Sequence, residues 1–586
     1  VAVAALAGVA GAAPLAAQVT TSSMRGVVLG QDGKEIADAR IVAVHEPSQT
    51  RYAAVSRADG RFIIPGMRVG GPYTVTASRI GFQPSVQKDI TLTLGVAADL
   101  TFKLGTAAVQ LSGVTVVEQT GITSTQRTGA ATAVSKDAIE KLPTISRRIG
   151  DFTRLTPQAS GNSFAGQDNR LNNITVDGSF FNNQFGLGGQ PGDRTGVAPI
   201  SLDAIEQIQV NIAPYDVRQG NFVGAGVNTV TRSGTNEFNG SLYYFGRNQD
   251  LVGERPGANT FNPGQFDFAQ WGARIGGPIL KNKLFFFGSF ETDELGEPGT
   301  TFTANPGGVT PAGTTTRVLA SDLTNLSNFL RQNFQYETGP FQGYQNLTPS
   351  TRFLGKLDFN LNEKNKFSLR YTHLNSESDI LLSNSASLGF GGRRSNLTGL
   401  NFQNSNYSIL ENIRSLVGEW NAQIGDRMSN NLIIGYTSQD ESRGAIDRLF
   451  PFVDILEQGA TYTSFGAEPF TPNNELRYKS FQLQNNFQIF RDKHEFTFGA
   501  VLERYESENV FFPGSQSVYT YNSLQDFLTD ANGFLQNPNR TTSPVTLRTF
   551  QVRWANIPGQ TKPIQPLEVL YGGLYAQDEW RARDNL

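Results

Sequence analysis

From Gly234 onward, apolar and polar positions alternate in segments of about ten residues, the pattern of strands with one apolar and one polar face. The clearest case is the run from Ser480 to Ile489. Phe481, Leu483, Phe487 and Ile489 fall on one face, with Ser480, Gln482, Gln484, Asn486 and Gln488 on the other. Phe353, Leu357, Phe359 and Leu361 likewise oppose Arg352, Lys356, Asp358 and Asn360, while Phe367, Leu369 and Tyr371 oppose Ser368, Arg370 and Thr372. Trp420, Ala422 and Ile424 oppose Glu419, Asn421 and Gln423. Tilted strands of this length span a bilayer, so the apolar set is expected to face lipid and the polar set a lumen.

Soluble sandwiches also alternate, and the connections separate the two cases. Lys281 to Lys283, Glu363 to Asn365, Gly425 to Asn430 and Arg491 to Lys493 are short polar turns. Long loops lie between those hairpins, at roughly 294–350, 376–411, 441–477 and 507–567, rich in Asn, Gly, Pro, Ser and Thr. Short turns at one end and long loops at the other are the layout of a membrane β-barrel. About ten strands are expected, whereas a barrel wide enough to hold an internal domain needs about 22. The barrel is therefore expected to be truncated in this chain. Trp271, Trp420 and Trp580 fit an interfacial aromatic girdle.

The N-terminal part reads differently. Residues 1–17 form an apolar, small-residue run resembling the remnant of a signal peptide. Residues 22–104 alternate short strands (Ile41 to Val44, Arg61 to Ile64, Tyr73 to Thr76, Leu100 to Phe102) with Asp-Gly turns at Asp32 and Asp59, which predicts a β-sandwich. Residues 105–134 are small and polar, a linker, with one apolar island at Val114, Thr115, Val116 and Val117. That island suits strand addition to another protein's sheet, or the first strand of the domain that follows. In residues 135–233, a helix from Lys136 ending at Pro143 precedes short strands, and Ile205 to Val210 reads as a short helix passing into a strand. This predicts a small α/β domain, followed by barrel over 234–586.

Composition narrows the chemistry. With 49 basic and 52 acidic residues, the chain has no cationic footprint for nucleic acid. It has no cysteine, and His45, His373 and His494 lack metalloenzyme spacing. The Gly-rich run at Gly186 to Gly192 fails the dinucleotide pattern because Pro191 takes the final glycine position. Asp203 reads as part of a helix start rather than as half of a catalytic pair. No catalytic, cofactor or metal site is expected.

Three stretches carry a resemblance: Asn172 to Gly188 (NNITVDGSFFNNQFGLG), Ile200 to Val210 (ISLDAIEQIQV) and Ala213 to Asn248. They resemble the plug and first strand of TonB-dependent outer-membrane receptors, especially the Oar-like branch. Gly26-Val27-Val28, Ala39, Asp59-Gly60 with Phe62, and Tyr73 before Gly81-Phe82 resemble the carboxypeptidase regulatory-like domain, which has a carbohydrate-binding-like fold. The resemblance implies a mainly β protein of the bacterial outer membrane: a sandwich and plug on the periplasmic side, then a transmembrane antiparallel barrel. It implies energised uptake of a scarce, bulky small-molecule or oligosaccharide ligand, driven by an inner-membrane TonB complex acting on a box segment, for which Val114 to Val117 are the candidates. The alternative is a structural or adhesive outer-membrane protein of the Oar-like type, linked to protein export.

Overall fold

The computed structural model describes residues 19–582 apart from 107–114, 117–128, 145–146, 184, 186–188, 254, 256, 258–263 and 389–390. The leader-like residues 1–17, Val114, Val117 and the Gly186 to Gly188 part of the glycine run therefore lie outside the described residues.

Two sheets form the sandwich. One has the order β4 (Arg61–Met67), β1 (Ser22–Gly30), β7 (Ala97–Leu104); the other runs β3 (Thr50–Val55), β2 (Arg40–His45), β5 (Gly70–Ser78), β6 (Ser85–Leu92), β8 (Thr115–Val116). Alternation along β2 and β5 turns Ile41, Ala43, Tyr73 and Val75 inward, where they pack with Phe62 and Phe102. Gly26 permits the parallel approach of β1 to β7, since a Cβ there would lie 1.8 Å from the Leu100 carbonyl oxygen.

The plug is a five-stranded sheet in the order β11 (Ser179–Phe180), β10 (Asn173–Val176), β13 (Gly226–Thr231), β12 (Ile205–Pro214), β9 (Gly129–Ser135). Its helix α1 (Lys136–Lys141) starts where Ser135 accepts a hydrogen bond from the Ala138 amide. A second, one-turn helix, α2, covers Gly150–Thr153. The helical turn expected to begin at Ile205 ends before it: Leu202–Ala204 form one 3-10 turn capped by Ser201, and β12 starts at Ile205. The β-branched and apolar residues of Ile205 to Val210 are buried on both faces, which favours a central strand over a helix.

The wall is an antiparallel sheet whose main path has ten strands: β14 (Asn239–Asn248), β15 (Asp267–Leu280), β16 (Leu284–Pro298), β17 (Gln345–Asn360), β18 (Asn365–Ile380), β19 (Asn412–Ile424), β20 (Met428–Asp440), β21 (Glu475–Arg491), β22 (His494–Val510) and β23 (Ile564–Trp580). Faces separate as the alternation requires. Phe353, Leu357, Leu369 and Phe481 are exposed on the outer face, whereas Arg352, Lys356, Arg370, Gln482 and Gln484 are buried. The sheet is not closed, and among the described residues β14 and β23 each have one wall neighbour.

The lumen is filled by the plug, and the two share a core in which Val176, Phe181 and Ile208 meet Phe287, Leu354, Leu374 and Ile413 of the wall. The long loops are not irregular. They contain helices α3 (Ala320–Phe334) and α4 (Leu524–Gln536) and a separate sheet of Ala460–Phe465, Phe452–Glu457, Val518–Tyr521 and Thr549–Gln551. Leu323, Leu326 and Leu330 of α3 pack with Phe402, Ile455, Phe465 and Phe527, so the loops together bury a core of their own. Asp454 and Arg393 pair at 2.7 Å within this assembly, neither side chain exposed.

Candidate gate: the plug–wall interface and the linker strand

The Val176 to Ser179 hairpin is the most heavily anchored part of the plug. Asp177 and Gly178 both have positive φ, 43° and 75°, which closes β10 onto β11 through a two-residue turn. That turn aims the Asp177 carboxylate at the wall. It accepts hydrogen bonds from the Thr231 amide (2.8 Å) and hydroxyl (2.6 Å), and it faces Lys356 Nζ at 3.6 Å and Arg370 at 3.5 Å. Burial alone would raise the Asp177 carboxyl; the two wall cations and the Thr231 donors outweigh it and hold the group below its ordinary value.

Two wall glutamines bracket the same hairpin. Gln484 donates to the Gly178 carbonyl at 2.9 Å, and Gln482 accepts from the Phe180 amide at 2.8 Å. The alternation predicts a lumen-facing Gln484 correctly, but that lumen is occupied: the side chain is fully buried against the plug. Nothing in a period-two pattern distinguishes a residue facing water from one facing a plug.

Further anchors surround this one. Arg352 pairs with Glu291 at 2.9 Å and with Asp293, and donates to the Ala198 carbonyl at 2.7 Å. Glu411 accepts from the Thr195 amide (3.1 Å) and from Gly192, at the end of the glycine run, while Glu441 pairs with Arg194 at 3.1 Å. Asp203 pairs with Arg274 at 3.0 Å. The cap of its helical turn is Ser201, so Asp203 is a wall contact and not the cap that the sequence suggests.

At the short-turn rim, the sandwich touches both other parts. Arg25 pairs with Glu579 at 2.8 Å, Asn360 donates to Thr50 at 2.9 Å, and Leu94 is held by Gln207 and Gln209 of β12, each at 2.8 Å. A cavity of about 770 Å³ lies where sandwich, plug and wall meet, lined by Arg68, Asp177, Glu206, Arg232, Lys356 and Glu419 among others.

Of the candidate coupling residues, Thr115 and Val116 form β8, which pairs in parallel with β6, Thr115 opposite Gln87 and Val116 opposite Lys88. The plug's outer strand is instead β9, so these two residues are not the plug's first strand. Among the described residues no cluster of three or more metal-ligating side chains occurs.

An open antiparallel wall with an apolar outer face, filled by an α/β plug, defines a plugged outer-membrane β-barrel. The chain belongs to the outer membrane beta barrel domain family, whose model matches residues 230–586, and residues 23–105 match the carboxypeptidase regulatory-like domain. It is similar to the TonB-dependent transporter Oar of Myxococcus xanthus, with 28% identity over 294 residues, 47% of this chain and 27% of Oar. In fold it is similar to the outer membrane transporter YddB from Escherichia coli, with TM-score 0.51 and 11% identity, covering 77% of this chain and 55% of that one. This chain thus spans only part of the length of either relative. Both relatives are transporters rather than enzymes, and the barrel family places the chain in the outer membrane.

Proposed function

We propose that this chain carries the gated part of a TonB-dependent receptor that takes up a scarce, bulky ligand, carbohydrate-type or chelate, across the outer membrane. The observation behind this reading is the plug itself, held in the lumen by an apolar core shared with the wall and by buried polar contacts centred on Asp177. A passive pore has no use for such a seal. On this reading the long-loop assembly and the plug bind ligand outside, the sandwich lies on the periplasmic side, and Val114 to Val117 receive the pull. The open edges of β14 and β23 require further strands, because unpaired main-chain groups are costly in lipid. The carbohydrate-binding-like fold of the sandwich favours an oligosaccharide by analogy of fold alone.

One observation favours a second reading. The loops form a folded unit with its own core, which would suit a structural or adhesive surface protein, or one linked to protein export. Cells depleted of TonB separate the two. Loss of accumulation of radiolabelled oligosaccharides or ferric chelates, with cell adhesion and the secreted protein profile unchanged, supports uptake; the reverse supports the second reading.

A further inference from the structure

We propose that the sandwich is a swinging cap over the short-turn mouth of the barrel, latched to the wall by ion pairs and pivoting on its buried contact with the plug around Leu94. That this mouth is the periplasmic one rests on the uptake reading; the latch and the pivot do not.

The sandwich lies across the mouth. A barrel wide enough for a plug needs about 22 strands, so the ten wall strands make roughly half a ring, and the first and last stand on opposite sides of the lumen. The sandwich reaches both. The Asn236 amide, just before β14, donates to the Pro47 carbonyl at 2.9 Å, and Glu579 near the end of β23 pairs with Arg25 at 2.8 Å. Between them, Asn360 at the end of β17 donates to Thr50 at 2.9 Å, and Glu363 in the following turn pairs with Arg40 at 3.6 Å. The cavity of about 770 Å³ is thereby covered by Thr50, Tyr52 and Arg68 of the sandwich, with Arg232 of the plug and Ser368 of the wall among its other lining residues.

The two seams of the cap differ in kind. Toward the plug, the fully buried Leu94 packs with Val19, Val69 and the plug residue Val230, while its amide and carbonyl bond the side chains of Gln207 and Gln209. Parting this contact would expose apolar surface and break buried main-chain hydrogen bonds together. Toward the wall, no buried apolar cluster among the described residues holds both sandwich and wall side chains. That seam is polar: the Asn360 bond to Thr50 is joined by the pairs of Arg25 with Glu579, Asp99 with Arg581 and Arg40 with Glu363. The Arg40 and Glu363 side chains are 62% and 42% exposed, and pairs of that kind exchange readily with water and are screened by salt. Thr20, beside the pivot residue Val19, donates to Glu419 inside the lumen, where a swing displaces it least. The wall seam therefore parts first, and the cap uncovers the cavity while the plug stays seated.

This chain has no cysteine, so Ser368→Cys places a distinct thiol in the cavity of the full-length protein. In detergent at low salt, a polymer-linked maleimide too large for the cavity should label it slowly. Arg25→Glu with Arg40→Glu should speed labelling roughly fivefold or more, and raised salt should speed it in the protein carrying Ser368→Cys alone. Adding Glu363→Arg and Glu579→Arg to the reversed protein should restore slow labelling, which a misfolded sandwich would not allow. A Val69→Cys, Val230→Cys disulfide, formed beforehand, should leave the gain from charge reversal intact. Labelling that is fast from the outset, or no faster after reversal, would overturn the cap. Failure of the charge swap to restore slow labelling would overturn the ionic latch. Loss of the gain in the cross-linked protein would overturn the pivot, since the sandwich would then have to leave the plug as well. None of these measurements involves ligand or energised transport, so the cap and the uptake reading can each fail alone.

Discussion

The Asp177 carboxylate of the plug lies 3.5 Å from the guanidinium of Arg370 on the wall, and both side chains are buried. Lys356 approaches the same carboxylate at 3.6 Å, so one plug residue answers two wall cations. Removing the charge with Asp177→Asn leaves both cations unpaired in a buried site and should weaken plug retention by about 3–5 kcal/mol. Protease attack within residues 135–233 of the assembled protein measures this, and attack should become markedly faster. Because the Asp177 pKa is lowered from 3.8, the contact is present above that value and is lost only as pH falls through the lower one. Retention should therefore be unchanged from neutral pH down to the ordinary carboxylate range.

Gly178 should tolerate no side chain. Its φ is 75°, and a Cβ would lie 2.5 Å from Ile433 Cδ1 and 2.6 Å from Thr20 Cγ2. Gly178→Ala adds backbone strain of about 1–2 kcal/mol to that crowding and should loosen the hairpin even with Asp177 intact. The same protease assay reads it.

The two faces of β21 should respond oppositely. Phe481 is 43% exposed on the outer face, so Phe481→Arg should impair membrane assembly by about 2–4 kcal/mol if mid-bilayer, falling toward the interfaces. Gln484→Ala should assemble normally and loosen the plug, because its amide holds the Gly178 carbonyl. Folding yield in lipid and protease sensitivity, measured on both variants, separate the effects.

In the sandwich, burial and the charge of Arg68 push the His45 imidazole down to about 3 from 6.5. The folded sandwich thus keeps His45 neutral while the unfolded chain takes up a proton below 6.5. Stability conferred by the neutral ring is full above 6.5 and falls as pH drops toward 3, by up to about 1.4 kcal/mol per pH unit. Thermal unfolding of residues 22–104, followed by proteolysis across this range, should show that slope, and His45→Gln should flatten it.

The wall was largely legible because lipid imposes a strict rule. Phe353, Leu357 and Phe481 can face only outward, and a period of two then places Arg352, Lys356 and Gln482 inward. What filled the lumen was legible only through resemblance, since inward polar residues look alike whether they meet water or Asp177. The loop assembly was missed for a different reason. Its apolar residues, such as Leu323, Phe402, Ile455 and Phe527, are scattered over four loops and converge only in the fold. The island was visible as apolar residues in a polar linker, but the pairing of Thr115 and Val116 with Gln87 and Lys88 depends on a sheet edge that no linear pattern reveals.

If a pull on the linker opens the plug, breaking main-chain pairing at Val116 should stop uptake without disturbing ligand binding. In the full-length protein, Val116→Pro removes a main-chain donor from the proposed coupling segment and resists ladder pairing, while Val116→Ala keeps the donor and the capacity to pair. Surface binding and energised uptake of the same radiolabelled ligand should be measured side by side in cells carrying each variant. Coupling through the linker predicts that Val116→Pro abolishes uptake with surface binding nearly unchanged, and that Val116→Ala is mild in both. Normal uptake by the proline variant would contradict it.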